Sequence, residues 1–196
     1  MDRLDLLQCE YDRVHREMSS LLEELSDSQI RCIPFDGLKS IAWLAWHVTR
    51  VEDLVVNRFV AHCSQSFYEH AWGERLRVDR SAIGLGANAV EIHALSTTID
   101  LAMLRAYRIA VESRTRSVLA GLRPMDLDEI VDAAYIDWLL RADGAVQDGA
   151  RLQPDEWDSG TKAAYFSQLA VGHQWLHYGE ALTIRKLCFL TAGRSR

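Results

Sequence analysis

With 196 residues, 48% of them apolar, the chain can build one domain with its own core, which excludes an intrinsically disordered polymer. A net charge of -6, from 28 acidic and 22 basic residues scattered along the chain, excludes a basic face for nucleic acid and a polybasic membrane patch. The opening Met1-Asp2-Arg3-Leu4-Asp5 lacks the layout of a secretory leader, and the longest apolar run, Ile41 to Trp46, is too short to span a bilayer. A single cytoplasmic domain over residues 1–196 is expected.

The spacing of Leu4, Leu7, Tyr11, Val14, Met18, Leu21 and Leu25 alternates three- and four-residue steps and predicts a helix over residues 2–26. Pro34 and Gly37 then break the pattern, and a second helix is expected over about 38–62. From Ser64 to Asn88 the periodicity is weak and Gly73, Gly84 and Gly86 recur. This suits a long crossing connection, which permits the second and third helices to run parallel. Ile92, Ile99, Met103, Ala106 and Ala110 predict a third helix over 89–121, closed by Gly121 and Pro124.

Asp126 to Glu129 has capping-box spacing and opens a shorter helix to about Leu140. Asp143 to Gly160, which holds Pro154, reads as a loop, and Thr161 to Leu190 as the last long helix. No run alternates apolar and polar residues over a strand's length, so no sheet is expected. The fold class is an all-α bundle of four long helices, with a short extra helix between the third and fourth. Cys9, Cys32, Cys63 and Cys188 are far apart with no C-x-x-C pair and are expected as buried free thiols, Cys188 as core filler.

Seven histidines are present, and three carry the functional reading. At 100° per residue His173 and His177 share a stripe with Phe166, Leu169, Ala170, Ile184 and Leu187. His47 shares one with Trp43, Leu44, Val51 and Leu54, on a helix whose outward positions are expected to include Glu52 and Asp53. At about 1.5 Å per residue His47 lies roughly 12 Å along its helix, and the pair roughly 16 to 22 Å along theirs, so either relative direction brings them level. A buried imidazole needs partners for both ring nitrogens; bonds to backbone or carboxylates satisfy that need, and so does a shared metal ion.

Three imidazoles leave a coordination position open, the catalytic layout, and accept Zn, Ni, Fe, Mn or Co. Glu180, three residues after His177, is placed to orient a ligand, take a proton, join the shell, or pair with an arginine. His62 lies too far along its helix to join them, and His15, His70 and His93 are expected at surfaces or loop edges. Trp43, Trp46 and Trp175 flank the histidines as pocket wall or interhelical packing.

Ser40-Ile-Ala-Trp-Leu-Ala-Trp-His47-Val-Thr-Arg-Val-Glu52, followed far downstream by His173-Gln-Trp-Leu-His177-Tyr-Gly179-Glu180, resembles the DinB-like superfamily of bacterial proteins. The resemblance spans nearly the whole chain. It implies a four-helix bundle in up-down-down-up order, with one ligand histidine on the second helix and two on the fourth, here His47, His173 and His177. It further implies kinship with thiol-dependent transferases and isomerases that use mycothiol or bacillithiol, although many members have no established activity. The expected protein is therefore a metal-dependent enzyme of the S-transferase type acting on a small molecule, with Zn or Ni foremost and a low-molecular-weight thiol as co-substrate. The rivals are a metal-dependent hydrolase and a non-catalytic metal-binding or stress-response bundle, and in either case a homodimer is expected.

Overall fold

The computed structural model describes residues 2–78, 82–146 and 158–194. Helix α1 (Arg3–Glu24) opens on a reciprocal capping box between Asp2 and Asp5 and buries Tyr11, Val14, Met18, Leu21 and Leu22 on one stripe. After a short helix α2 (Asp27–Arg31), Ser40 caps α3 (Ile41–Leu54), which passes into a π-helical turn, Val55–Val60. The crossing segment carries two short helices, α4 (Ser66–Glu69) and α5 (Trp72–Leu76). Next come α6 (Ala89–Thr98), α7 (Leu101–Gly121), a 3₁₀ turn (Pro124–Asp128) and α8 (Ala133–Ala142). Helix α9 (Lys162–Tyr165), a π turn (Phe166–Gly172) and α10 (His173–Arg194) form the last long rod.

Contacts between side chains give the helix directions. Glu17 meets Tyr178 and Glu24 meets Arg185, so α1 and α10 run the same way. Thr49 meets Arg108 and Asn57 meets Arg114, so α3 and α7 also run together. Asp12 pairs with Arg116 while the Leu22 carbonyl takes Arg105, which sets α7 against α1. Helix α3 opposes α10, because His47 faces His177 while Glu52, further along, bonds Gln174.

Every residue of α3 is buried, and this overturns the expectation that Glu52 and Asp53 face outward. The helix has neighbours on all sides, so its polar residues are neutralised inside the protein rather than by water. Glu52 accepts the hydroxyls of Tyr11 (2.6 Å) and Thr115 (2.7 Å) and the amide of Gln174 (2.7 Å). Burial and the Glu52 charge hold the Tyr11 hydroxyl well above its usual pKa, so it stays a donor. Asp53 accepts the backbone N–H groups of Ser66 and Phe67 and the Tyr107 hydroxyl, tying the crossing segment to the centre.

Several further expectations change. The third helix is two: Asp100 caps α7 at Met103, and Arg31 takes the carbonyls of Ser96, Thr97 and Ile99 that close α6. Asp126 belongs to the 3₁₀ turn, and the cap of α8 is Asp132. Ile130–Val131 and Gly160–Thr161 form a two-stranded antiparallel pair, two residues each, too short to show an alternating pattern. Cys32 and Cys188 are a disulfide with a Cα separation of 6.4 Å; 156 residues separate them in sequence, and only the fold makes them neighbours. Cys9 is exposed and Cys63 half-buried, so neither is a buried thiol. Of the loop expected over Asp143 to Gly160, residues 147–157, with Pro154, lie outside the described residues.

Candidate metal centre

The site begins where the α-helical period of the last rod is interrupted. The wide turn Phe166–Gly172 immediately precedes His173 and resets which face the following residues present; single π turns of this kind recur at functional positions. From there the ordinary four-residue step stacks His177 over His173, their rings 4.5 Å apart. Across the interface, α3 presents His47, its ring 5.0 Å from His173 and 5.1 Å from His177. One ligand nitrogen of each residue lies within 4.8 Å of the others.

What the remaining nitrogens do decides the tautomers. The Nδ1 of His47 lies 2.5 Å from the Ile83 carbonyl, which can only accept, so Nδ1 carries the proton and Nε2 keeps its lone pair. The Nδ1 of His177 faces the Glu180 carboxylate at 2.8 Å, with the same consequence. Its Nε2 lies 3.1 Å from the Nε2 of His173, close enough for both nitrogens to face one ion. The Nδ1 of His173 is buried without a hydrogen-bond partner, so this ring lacks the orienting contact the other two have.

Burial favours the unprotonated form of His47 and His173. Burial, then the neighbouring His173, puts the His47 imidazole well below its usual pKa. Burial, with His177 and Lys39, pushes His173 down to about 3. The hydrogen bond from His177 holds the Glu180 carboxyl below the ordinary range, so it stays an anion. Three nitrogen donors, two of their rings fixed from behind by Ile83 and Glu180, are what a divalent ion requires, and the residues fit one.

The loop at residues 82–87 folds over this cluster. Gly84 has φ +97°, and a Cβ there would lie 2.9 Å from the rings of both Trp43 and Trp46 and 3.1 Å from His47 Nδ1. Only glycine lets the backbone come close enough to place the Ile83 carbonyl on His47. Trp43 stacks on His47 at 4.8 Å, and Lys39 lies over Trp43 at 4.8 Å. The histidines open into a cavity of ≈ 660 Å³, lined also by Lys39, Trp43, Gln168 and Leu176.

Sequence reasoning brought the three histidines and Glu180 to one place, and the structure has them together. It kept His62, His70 and His93 apart from them, and so does the structure, but it put His15 at the surface. His15 is buried, its Nδ1 3.2 Å from Glu112, because α1 packs its polar side onto α7. Trp175 packs against Tyr178 and Arg13 instead of the cavity. The role of Ile83, Gly84 and Lys39 was missed; the Gly84-Leu-Gly86 spacing was the one visible signal of a backbone approach.

The family model described as the DinB superfamily matches residues 10–181. The chain belongs to the DinB superfamily. A solved structure titled "Crystal structure of the conserved protein of locus from Enterococcus faecalis" superposes with a TM-score of 0.69 at 19% identity. The match covers 95% of this chain and 97% of that one, and it shows a shared all-α fold. No curated protein matches significantly. As a DinB superfamily member the chain carries its three-histidine group between α3 and α10, and no helix among the described residues is long and apolar enough to cross a membrane.

Proposed function

We propose that this protein is a metal-dependent enzyme that holds one divalent ion, zinc or nickel foremost, on the Nε2 atoms of His47, His173 and His177. The observation that carries this reading is the convergence of three imidazoles on one point in the wall of an open cavity, two of them, His47 and His173, kept neutral by burial. A divalent ion there supplies Lewis acidity, lowering the pKa of a thiol or water that reaches its open side.

The chain's own residues set the rest. Ile83 and Glu180 orient two of the three rings, and the Glu180 charge makes His177 a better donor. The walls at Trp43, Val51, Leu169 and Leu176 are apolar and exclude water from one side of the site. Glu180 stays anionic at neutral pH, and its Oε2 holds the His177 Nδ1 proton, which keeps the Nε2 lone pair of that ring turned toward the cluster. The motif resemblance implies S-transfer, and a cavity of ≈ 660 Å³ has room for a low-molecular-weight thiol beside an electrophilic acceptor.

Metal analysis of the purified protein tests the centre: near-stoichiometric metal is expected in the parent and little in a His47→Ala, His173→Ala variant. Equal contents in both would overturn the assignment. Incubation of the metal-loaded protein with monobromobimane and a panel of cellular thiols tests the reaction class. Conjugation that requires the metal supports transfer, and its absence with every thiol removes the transferase reading.

A further inference from the structure

We infer that Lys39 makes this cavity selective for small molecules that carry a carboxylate beside their metal-binding group, an inference that rests on the metal-dependent reading above. Among the described residues lining the cavity, Lys39 is the one with a full charge; the rest are apolar side chains, glycines, one glutamine and the histidines. Its ammonium sits one side chain away from two of the three histidines. On one side it lies over Trp43, which stacks on His47. On the other it stands 3.8 Å from Glu180 Oε1, while Glu180 Oε2 holds His177.

At 3.8 Å the Lys39 and Glu180 contact is too long for a hydrogen bond, so the ammonium retains donors for a ligand. The charges also do not balance. A divalent ion on neutral imidazoles plus Lys39 outweighs the single negative charge of Glu180, and apolar walls strengthen the resulting field. A ligand that brings one anionic group to the ion and a second to Lys39 removes that excess. No arginine lines the cavity among the described residues, and a single ammonium with no fork of donors matches one monoanionic carboxylate better than a phosphate.

The test uses the full chain stripped with a chelator and reloaded with Co²⁺, whose visible bands report both uptake and thiol ligation. The bands are titrated with 3-mercaptopropionate, 3-mercaptopropionamide and 2-mercaptoethanol against the parent, Lys39→Met and Lys39→Arg. In the parent, 3-mercaptopropionate is expected to bind about fivefold tighter than its amide, the size of a partly exposed ion pair. Lys39→Met should abolish that preference while leaving Co²⁺ uptake and the neutral ligands unchanged, and Lys39→Arg should keep it. Failure of the parent to take up Co²⁺ overturns the metal reading and this inference with it. Uptake without thiol binding, without a carboxylate preference, or with a preference that survives in Lys39→Met overturns the role of Lys39 alone.

Discussion

Replacing Gly84 with alanine strikes the point where the crossing segment touches the histidines. The backbone there has φ +97°, which disfavours any side chain by about 1 to 3 kcal/mol. The new methyl would lie 2.9 Å from Trp43 Cζ2 and Trp46 Cζ3, atoms of two buried and mutually packed rings, and such overpacking costs about 1 to 3 kcal/mol more. Gly84→Ala is therefore expected to lose roughly 2 to 6 kcal/mol in urea unfolding with an unchanged denaturant slope. The relief of that strain is a retreat of the loop, which withdraws the Ile83 carbonyl from His47 Nδ1. Metal affinity should then fall about 10- to 100-fold, as for other lost outer contacts to ligand histidines. Gly179→Ala is the control, since a Cβ at that helical position meets nothing within 4 Å. Stability and metal affinity in Gly84→Ala as high as in the control would refute the role given to the loop.

Glu180→Gln keeps an acceptor for His177 Nδ1 but removes the charge, and calorimetric titration should show metal affinity about tenfold weaker with the thermal midpoint little changed. In the metal-free protein, His47 and His173 resist protonation, whereas the unfolded chain binds those protons below about pH 6.5. Their contribution is thus fully present above pH 6.5 and declines as pH falls below it, for His173 down to about 3, by at most roughly 1.4 kcal/mol per pH unit for each ring. Urea midpoints from pH 7.5 to 5 should show that decline, and a His173→Gln variant should show a shallower one. Glu52→Ala strands the hydroxyls of Tyr11 and Thr115 and the amide of Gln174 in the core, and should cost about 3 to 5 kcal/mol by chemical denaturation.

The helices with a long apolar stripe were legible from spacing alone, α1 above all, because its burial pattern is one-sided. Helix α3 was legible in position but not in environment: a helix enclosed on every side shows no polar face to read, so Glu52 and Asp53 passed for surface residues. The break at Asp100 was written as an N-cap within a continuous pattern, and apolar periodicity on both sides concealed it. His47, His173 and His177 could be brought together because two sit one turn apart and the third lies on a strongly apolar helix. The contacts that orient them came partly from the far end of the chain's own connection: Ile83 and Gly84 act through backbone, and backbone hydrogen bonds leave almost no trace in residue identity. The Cys32 and Cys188 pair was invisible for a related reason, since long-range proximity is a property of the packing.

X-ray absorption at the zinc edge of the reloaded protein tests the central claim most directly. Three imidazole nitrogens at about 2.0 to 2.1 Å, with at least one further oxygen or sulfur neighbour, are expected at one ion per chain. A shell with fewer than three imidazoles, or one unchanged in a His177→Ala variant, would contradict it.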